Sequence, residues 1–111
     1  MAGEFELKAA AGGQYMWNLK AGNHEVILTS ELYKSKDAAL NGIESVRKNA
    51  SDDARFERKL AKNGQHFFVL TAGNGQTVGK SEMYQAESGR DNGISSVKRN
   101  APAAVLKEIS T

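Results

Sequence analysis

Two histidines, a trio of carboxylates and several paired tyrosines, asparagines and serines are the residues of this 111-residue chain with chemistry to offer. His24 falls in a turn and His66 on an extended run. Neither has a carboxylate or nucleophile at a spacing that would make it a general base, so both read as solvated or internally satisfied histidines. Asp52, Asp53 and Glu57 could gather round a cation, but no glycine-centred calcium loop surrounds them and they read as solvated linker acids. Gly73-Asn74-Gly75-Gln76-Thr77-Val78-Gly79 has glycines at the wrong spacing for a dinucleotide loop and joins strand to strand, so it reads as a hairpin turn. The chain has no cysteine, which excludes disulfides, thiolate metal sites and cysteine nucleophiles. No catalytic constellation, metal site or cofactor is expected.

Fifteen basic residues stand against thirteen acidic ones, a net charge of +2, far from the dense basic footprint of a typical nucleic-acid binder. No stretch reaches the roughly 20 apolar residues that span a bilayer. The start, Met1 to Glu6, has neither the basic nor the apolar region of a signal peptide, so a cytoplasmic protein without membrane contact is expected. Apolar residues make up 40% and charged ones 25% with a single proline, a folded-domain composition.

An internal repeat organises the chain. Sliding the sequence by about 51 positions aligns residues 5–50 with 56–101 without a gap, at about 20 identities. They include Phe5/Phe56, Gly13/Gly64, Leu19/Leu70, Tyr33/Tyr84, Asn41-Gly42-Ile43/Asn92-Gly93-Ile94, Ser45-Val46/Ser96-Val97 and Asn49-Ala50/Asn100-Ala101. Repeat one spans about 4–54 and repeat two about 55–111.

Each repeat reads as three strands and a helix. A three-residue loop at Ala11-Gly12-Gly13, with Gly13 left-handed, sets Ala9, Leu7 and Phe5 opposite Tyr15, Trp17 and Leu19 and gives one apolar face. The same loop at Lys62-Asn63-Gly64 aligns Leu60, Arg58 and Phe56 with His66, Phe68 and Leu70. Gly22-Asn23 and Gly73-Asn74 are expected as two-residue turns that pair Leu19 with Val26, Trp17 with Leu28 and Lys20 with Glu25. Leu40, Ile43 and Val46 with Ala39 and Ala50 then make the stripe of a helix from about Lys36 to Arg47 or Lys48. Asn49 and Asn100 are expected as left-handed C-caps after paired basic residues, and Pro102 stops the second helix. A three-stranded sheet with one helix would be marginal alone, so the repeats should merge round a pseudo-twofold axis into one domain, 1–111.

The Gly-Gln-aromatic strand, Ser-Glu-x-Tyr before the helix, and Asn-Gly-Ile-x-Ser-Val-x-x-Asn-Ala along it resemble the YegP-like family of small, mostly bacterial proteins of unknown function. The resemblance covers residues 4–109. It implies an α+β fold of two tandem β-β-β-α-β units sharing one antiparallel sheet, with two helices on one face and the final strands exchanged between units. Phe56 to Leu60 would close unit one and Val105 to Ile109 unit two. Gly89 and Arg90 stand where repeat one has Ala38 and Ala39, which leaves the start of the second helix open. The family supplies no catalytic residues.

Three surfaces are candidates for binding. Met16, Ile27, Phe67 and Val69 are expected on the open face of the sheet as an apolar strip, a contact surface for a protein partner or for self-association. Tyr33, Asn41, Tyr84 and Asn92 would line a cleft between the helices, though such paired polar residues also serve as anchoring hydrogen bonds. Gly42 and Gly93, both mid-helix, point to a close helix-to-sheet or helix-to-helix approach across the pseudo-twofold, the alternative being a ligand pressed on the backbone. Arg55, Arg58, Lys59 and Lys62 cluster in sequence, but strand alternation sends Arg58 and Lys59 to opposite faces. The expected function is a small non-enzymatic interaction module; the alternative is weak single-stranded nucleic-acid binding through Phe67 and these basic residues.

Overall fold

Alternating apolar residues at Phe5, Leu7 and Ala9, a glycine-bearing loop and a second alternating run produce the first hairpin, β1 (Glu4–Ala10) and β2 (Gln14–Lys20). The computed structural model describes residues 3–109; Met1, Ala2, Ser110 and Thr111 of the expected domain lie outside them. The chain continues through β3 (Val26–Ser30), α1 (Lys36–Asn49), β4 (Phe56–Leu60), β5 (His66–Thr71), β6 (Thr77–Lys80), α2 (Glu87–Asn100) and β7 (Val105–Ile109). The strands form one sheet in the order β4-β5-β6-β3-β2-β1-β7. Its seam is the antiparallel pairing of β3 with β6, the third strands of the two repeats.

The first hairpin of each repeat has the register expected from loop parity. Ala9 pairs with Tyr15, Leu7 with Trp17 and Phe5 with Leu19. In repeat two, Leu60 pairs with His66, Arg58 with Phe68 and Phe56 with Leu70. Gly13 and Gly64 take positive φ, 75° and 85°, where a β-carbon would be strained.

The second hairpins differ from expectation. Their loops hold three residues: Ala21 N–H donates to Glu25 O and His24 N–H to Ala21 O, both at 2.9 Å, with the same pattern at Ala72 to Gln76. His24 and Gly75 occupy the left-handed position, φ 71° and 84°. Asn23 Oδ1 accepts from Glu25 N–H at 3.1 Å and Asn74 Oδ1 from Gln76 N–H at 3.1 Å, the side-chain turn that favours asparagine here. A bulge then shifts the register, so Lys20 pairs with Val26 and Leu19 with Leu28. The expected pairs Leu19–Val26, Trp17–Leu28 and Lys20–Glu25 are therefore replaced, and Ile27 is the extra residue of the bulge. Repeat two has the same shift between Leu70 and Thr71.

Both helices lie over one face and share a single core. Phe5, Trp17, Leu19, Leu28, Phe68 and Leu70 from the sheet meet Ile43, Val46, Ile94 and Val97 from the helices. The strand after α1 pairs with β5 in the other repeat's half, and the strand after α2 pairs with β1. The final strands are thus exchanged. One pairing departs from a wholly antiparallel sheet, since β7 runs parallel to β1. The position antiparallel to β2 is already held by β1, so β7 adds outside it, and the sheet is mixed.

The helix ends also differ. Ala50 and Ala101 follow with right-handed φ of −64° and −60°. Asn49 and Asn100 stay helical and donate from Nδ2 to the carbonyls of Ser45 and Ser96, both at 2.8 Å. Both alanines are fully buried, so the chain continues inward and no left-handed reversal forms. At the start of α1, Ser35 Oγ accepts from Ala38 N–H at 3.1 Å. The second helix begins at Glu87 behind Ala86, which has no side chain to cap it.

Candidate functional site: two inter-repeat pockets

Tyr33 follows β3 and is held by a bridge to Tyr15, with both backbone hydrogen bonds at 2.8 Å. Its ring is thereby laid over α1 at Gly42. A β-carbon on Gly42 would overlap the Tyr33 hydroxyl and stand 2.8 Å from ring Cζ. Repeat two does the same, with Tyr84 bridged to His66 and its Cζ 2.8 Å from the β-carbon position of Gly93. Tyr84 also stacks on Phe68, centroids 6.4 Å apart. The mid-helix glycines therefore make room for the tyrosines. Burial raises the Tyr33 phenol above its ordinary value. Burial raises Tyr84, helped by the charges of Glu82 and Glu25. Trp17 Nε1 is buried without a hydrogen-bond partner.

Each tyrosine floors a polar pocket built from both repeats. Beside α1, Tyr33, Asn41 and Ser45 face Asn74 and Gln76 from the β5–β6 turn. Beside α2, Tyr84, Asn92 and Ser96 face Asn23 and Glu25 from the β2–β3 turn. The expected single cleft holding Tyr33, Asn41, Tyr84 and Asn92 is thus two separate pockets, because each helix packs against the other repeat's hairpin. Ser45 and Ser96 anchor Asn49 and Asn100 through their hydroxyls, at 3.2 and 3.1 Å. Asn41 and Asn92 are exposed, and among the described residues neither side chain has a hydrogen-bond partner. The anchoring reading holds for the serines and fails for these two asparagines.

The pockets differ in charge. The α1 pocket opens on a groove of about 530 Å³ that holds Lys48 and Arg55 together with Glu44. The Arg55 guanidinium lies 3.7 Å from where a β-carbon of Gly73 would stand, and Asp52 is its partner at 3.6 Å. At the aligned positions repeat one carries Glu4 for Arg55 and Glu25 for Gln76. Hence the α1 side is the more positive.

The open face is not the expected apolar strip. Ile27 belongs to the core, 6% exposed, because the bulge turns it inward. Val69 is equally buried on the open side, between Glu57 and Lys80. Phe67 is half-buried with Lys80 Nζ 4.9 Å above its ring. Met16 lies on β2 opposite Lys8, separated from β5 by β6 and β3. The Lys80 side chain thus covers the Phe67 ring, and Lys20 pairs with Glu6 at 3.0 Å.

The basic residues are mostly paired. Arg58 meets Asp91 at 3.2 Å and Asp53 at 3.8 Å, and Lys59 meets Glu57 at 3.5 Å. Lys62 alone of the four has no carboxylate partner among the described residues. His24 Nδ1 lies 3.9 Å from Glu4, and His66 lends only backbone to the Tyr84 bridge. Among the described residues no group of three metal-ligating side chains converges, and no helix is long and apolar enough to cross a membrane.

Sequence reasoning missed the turn residues of each pocket, Asn74 with Gln76 and Asn23 with Glu25. The repeated Asn at those turns was visible, but only the fold shows that each turn docks against the other repeat's helix.

Comparison with known proteins agrees with this architecture. The family model described as "Domain of unknown function (DUF1508)" matches twice, at residues 5–57 and 61–108. A UPF0339 protein of Bordetella pertussis is 61% identical over 108 residues, covering 97% of this chain and 96% of its own. One from Pseudomonas aeruginosa is 54% identical over 110 residues, covering 99% of this chain and 100% of its own. The solution structure of the E. coli protein of unknown function yegP superposes with a TM-score of 0.92 at 48% identity, over 97% of this chain and 93% of that one. A UPF0339 protein of Shewanella oneidensis gives 0.92 at 47%, over 97% and 92%. The chain belongs to this YegP-like UPF0339 family, whose function is unknown.

Proposed function

We propose that this protein is a small non-enzymatic binding module, acting in the cytoplasm, whose recognition sites are the two inter-repeat pockets. The observation that carries the reading is the pair Asn41 and Asn92. Asparagine in a helix interior costs about 0.5 kcal/mol relative to alanine, and neither side chain recovers this through a hydrogen bond within the protein. Both repeats nevertheless keep it, although more than half of the aligned positions have diverged. Each amide stands at a pocket with donor and acceptor groups free, beside a tyrosine hydroxyl and the turn of the other repeat. Lys48, which has no carboxylate partner among the described residues, suits the groove beside the α1 pocket to a small ligand carrying a carboxylate or phosphate.

The test is a nitrogen-15 NMR screen of small carboxylates and phosphate esters against the protein and its Asn41→Ala and Asn92→Ala variants. Saturable shifts at one pocket that disappear in the matching variant support the reading. Shifts that survive both variants, or none from any compound, overturn it. Nucleic-acid binding has no specific observation in its favour, since three of the four basic residues are engaged by carboxylates. The open face is a weaker site than the pockets, with Ile27 withdrawn from it and Phe67 under Lys80.

A further inference from the structure

The two repeats treat their outer edges differently. On the outside of β1 lies β7, whose Glu108 forms an ion pair with Lys36 of α1. Arg47 Nη2, further along α1, donates to Ala104 O at 2.9 Å just before β7. Between Lys36 and Arg47 in sequence α1 carries Leu40, partly buried against the core, and β1 carries Leu7 paired with Glu108. The counterpart of β1 in repeat two is β4, and among the described residues no strand lies outside it. Its unpaired backbone groups could accept a strand just as those of β1 do.

At the aligned positions repeat two replaces the receiving side chains. Arg58 stands for Leu7, Arg90 for Ala39, Asp91 for Leu40 and Glu87 for Lys36. The first three form one cluster: Asp91 Oδ1 takes Arg58 Nε at 3.2 Å and Arg90 Nη2 at 3.1 Å. None of the four lines either pocket. In the register it has on β1, a β7 strand placed outside β4 would set Leu106 opposite Phe56 and Glu108 opposite Arg58, whose guanidinium is already held by Asp91 and Asp53. Glu108 would face Glu87 in place of Lys36.

We infer that the Arg58–Asp91–Arg90 cluster, with Glu87, closes the β4 edge to the β7 strand of a second copy and so commits β7 to its own β1. The occupant it excludes follows from the fold. β7 already fits the equivalent edge, and its transfer to β4 of another molecule would be a head-to-tail contact, which builds rings or open chains.

The test gives repeat two the residues of repeat one: Arg58→Leu, Glu87→Lys, Arg90→Ala and Asp91→Leu together. In sedimentation velocity the unaltered protein should stay a single species as concentration rises, whereas the variant should form growing chains. An excess of a synthetic peptide spanning residues 103–109 should shorten those chains by occupying the opened edge. A folded variant that stays monomeric overturns the inference, as do chains the peptide leaves unchanged or association of the unaltered protein. If the fourfold variant fails to fold, the pair Glu87→Lys with Asp91→Asn decides, since both side chains are exposed. It should bind the labelled peptide at least about tenfold more tightly than the unaltered protein, and equal binding overturns the inference.

Discussion

The Tyr33 hydroxyl occupies the space that a side chain on Gly42 would fill, with ring Cζ only 2.8 Å from the missing β-carbon and Trp17 Nε1 at 3.1 Å. Tyr84 and Gly93 repeat the relationship. Glycine to alanine in a helix ordinarily stabilises by about 1 kcal/mol. Here Gly42→Ala and Gly93→Ala should each destabilise by about 1–3 kcal/mol through overpacking. Urea unfolding reads the change, and combining Gly42→Ala with Tyr33→Ala should remove most of the clash, leaving less than the sum of the single losses.

The two helix starts differ by one hydroxyl. Ser35 caps α1, while Ala86 stands before α2 with the same extended backbone, φ −137° and ψ 157° against −145° and 158°. Ala86→Ser should stabilise by about 0.5–1 kcal/mol and Ser35→Ala should cost about 0.5–2 kcal/mol. Thermal melts of the two variants beside the unaltered protein check both directions.

Position 24 carries a histidine where its counterpart, Gly75, has glycine, at φ 71° and 84°. A β-carbon in this region costs about 1 kcal/mol. Gly75→Ala should therefore destabilise by about 1 kcal/mol, and His24→Gly should be neutral or stabilising, as measured by denaturant midpoints.

Burial raises the phenol of Tyr33 and that of Tyr84 above the ordinary value of 10.0. The folded state thus holds these protons more tightly than the unfolded chain. Their contribution is fully present below pH about 10 and is lost as pH rises toward the folded values. Stability should fall on going from pH about 9 to about 11, and the fall should be smaller in Tyr33→Phe/Tyr84→Phe. At the acid end the sign reverses. Lys98 lowers the pKa of Asp53, and Arg58 with Arg90 lowers that of Asp91. The support from both carboxylates is present above their unfolded value and disappears as pH falls below it. Both are exposed, so added salt should weaken this acid-side dependence.

The first hairpins were legible because loop length and side-chain parity act together: one residue more or less would have put Trp17 and Phe68 on the wrong face. The second hairpins obeyed a different constraint. A bulge can follow a three-residue loop without any change in composition, so Ile27 looked like an open-face residue and proved to be core. Asn49 looked like a left-handed cap, yet the burial of Ala50 keeps the helix turning and frees its amide for Ser45. The close fit of glycine and tyrosine was foreseen as a need for space, but its occupant was not, since the partner lies before the helix in sequence. The pockets were least legible. They depend on which hairpin meets which helix, and that is a property of the pseudo-twofold arrangement.

The parallel seat of β7 on β1 has a consequence for synthesis. Val105 N–H donates to Gly3 O at 3.2 Å, so one of the first described residues to leave the ribosome is bonded to one of the last. Until β7 emerges, the outer edge of β1 is open, and so is the side of the core round Leu7 and Leu40. The nascent chain can form its hairpins and both helices as they appear, but the sheet is sealed only once β7 has emerged, when this late strand seats beside the early β1.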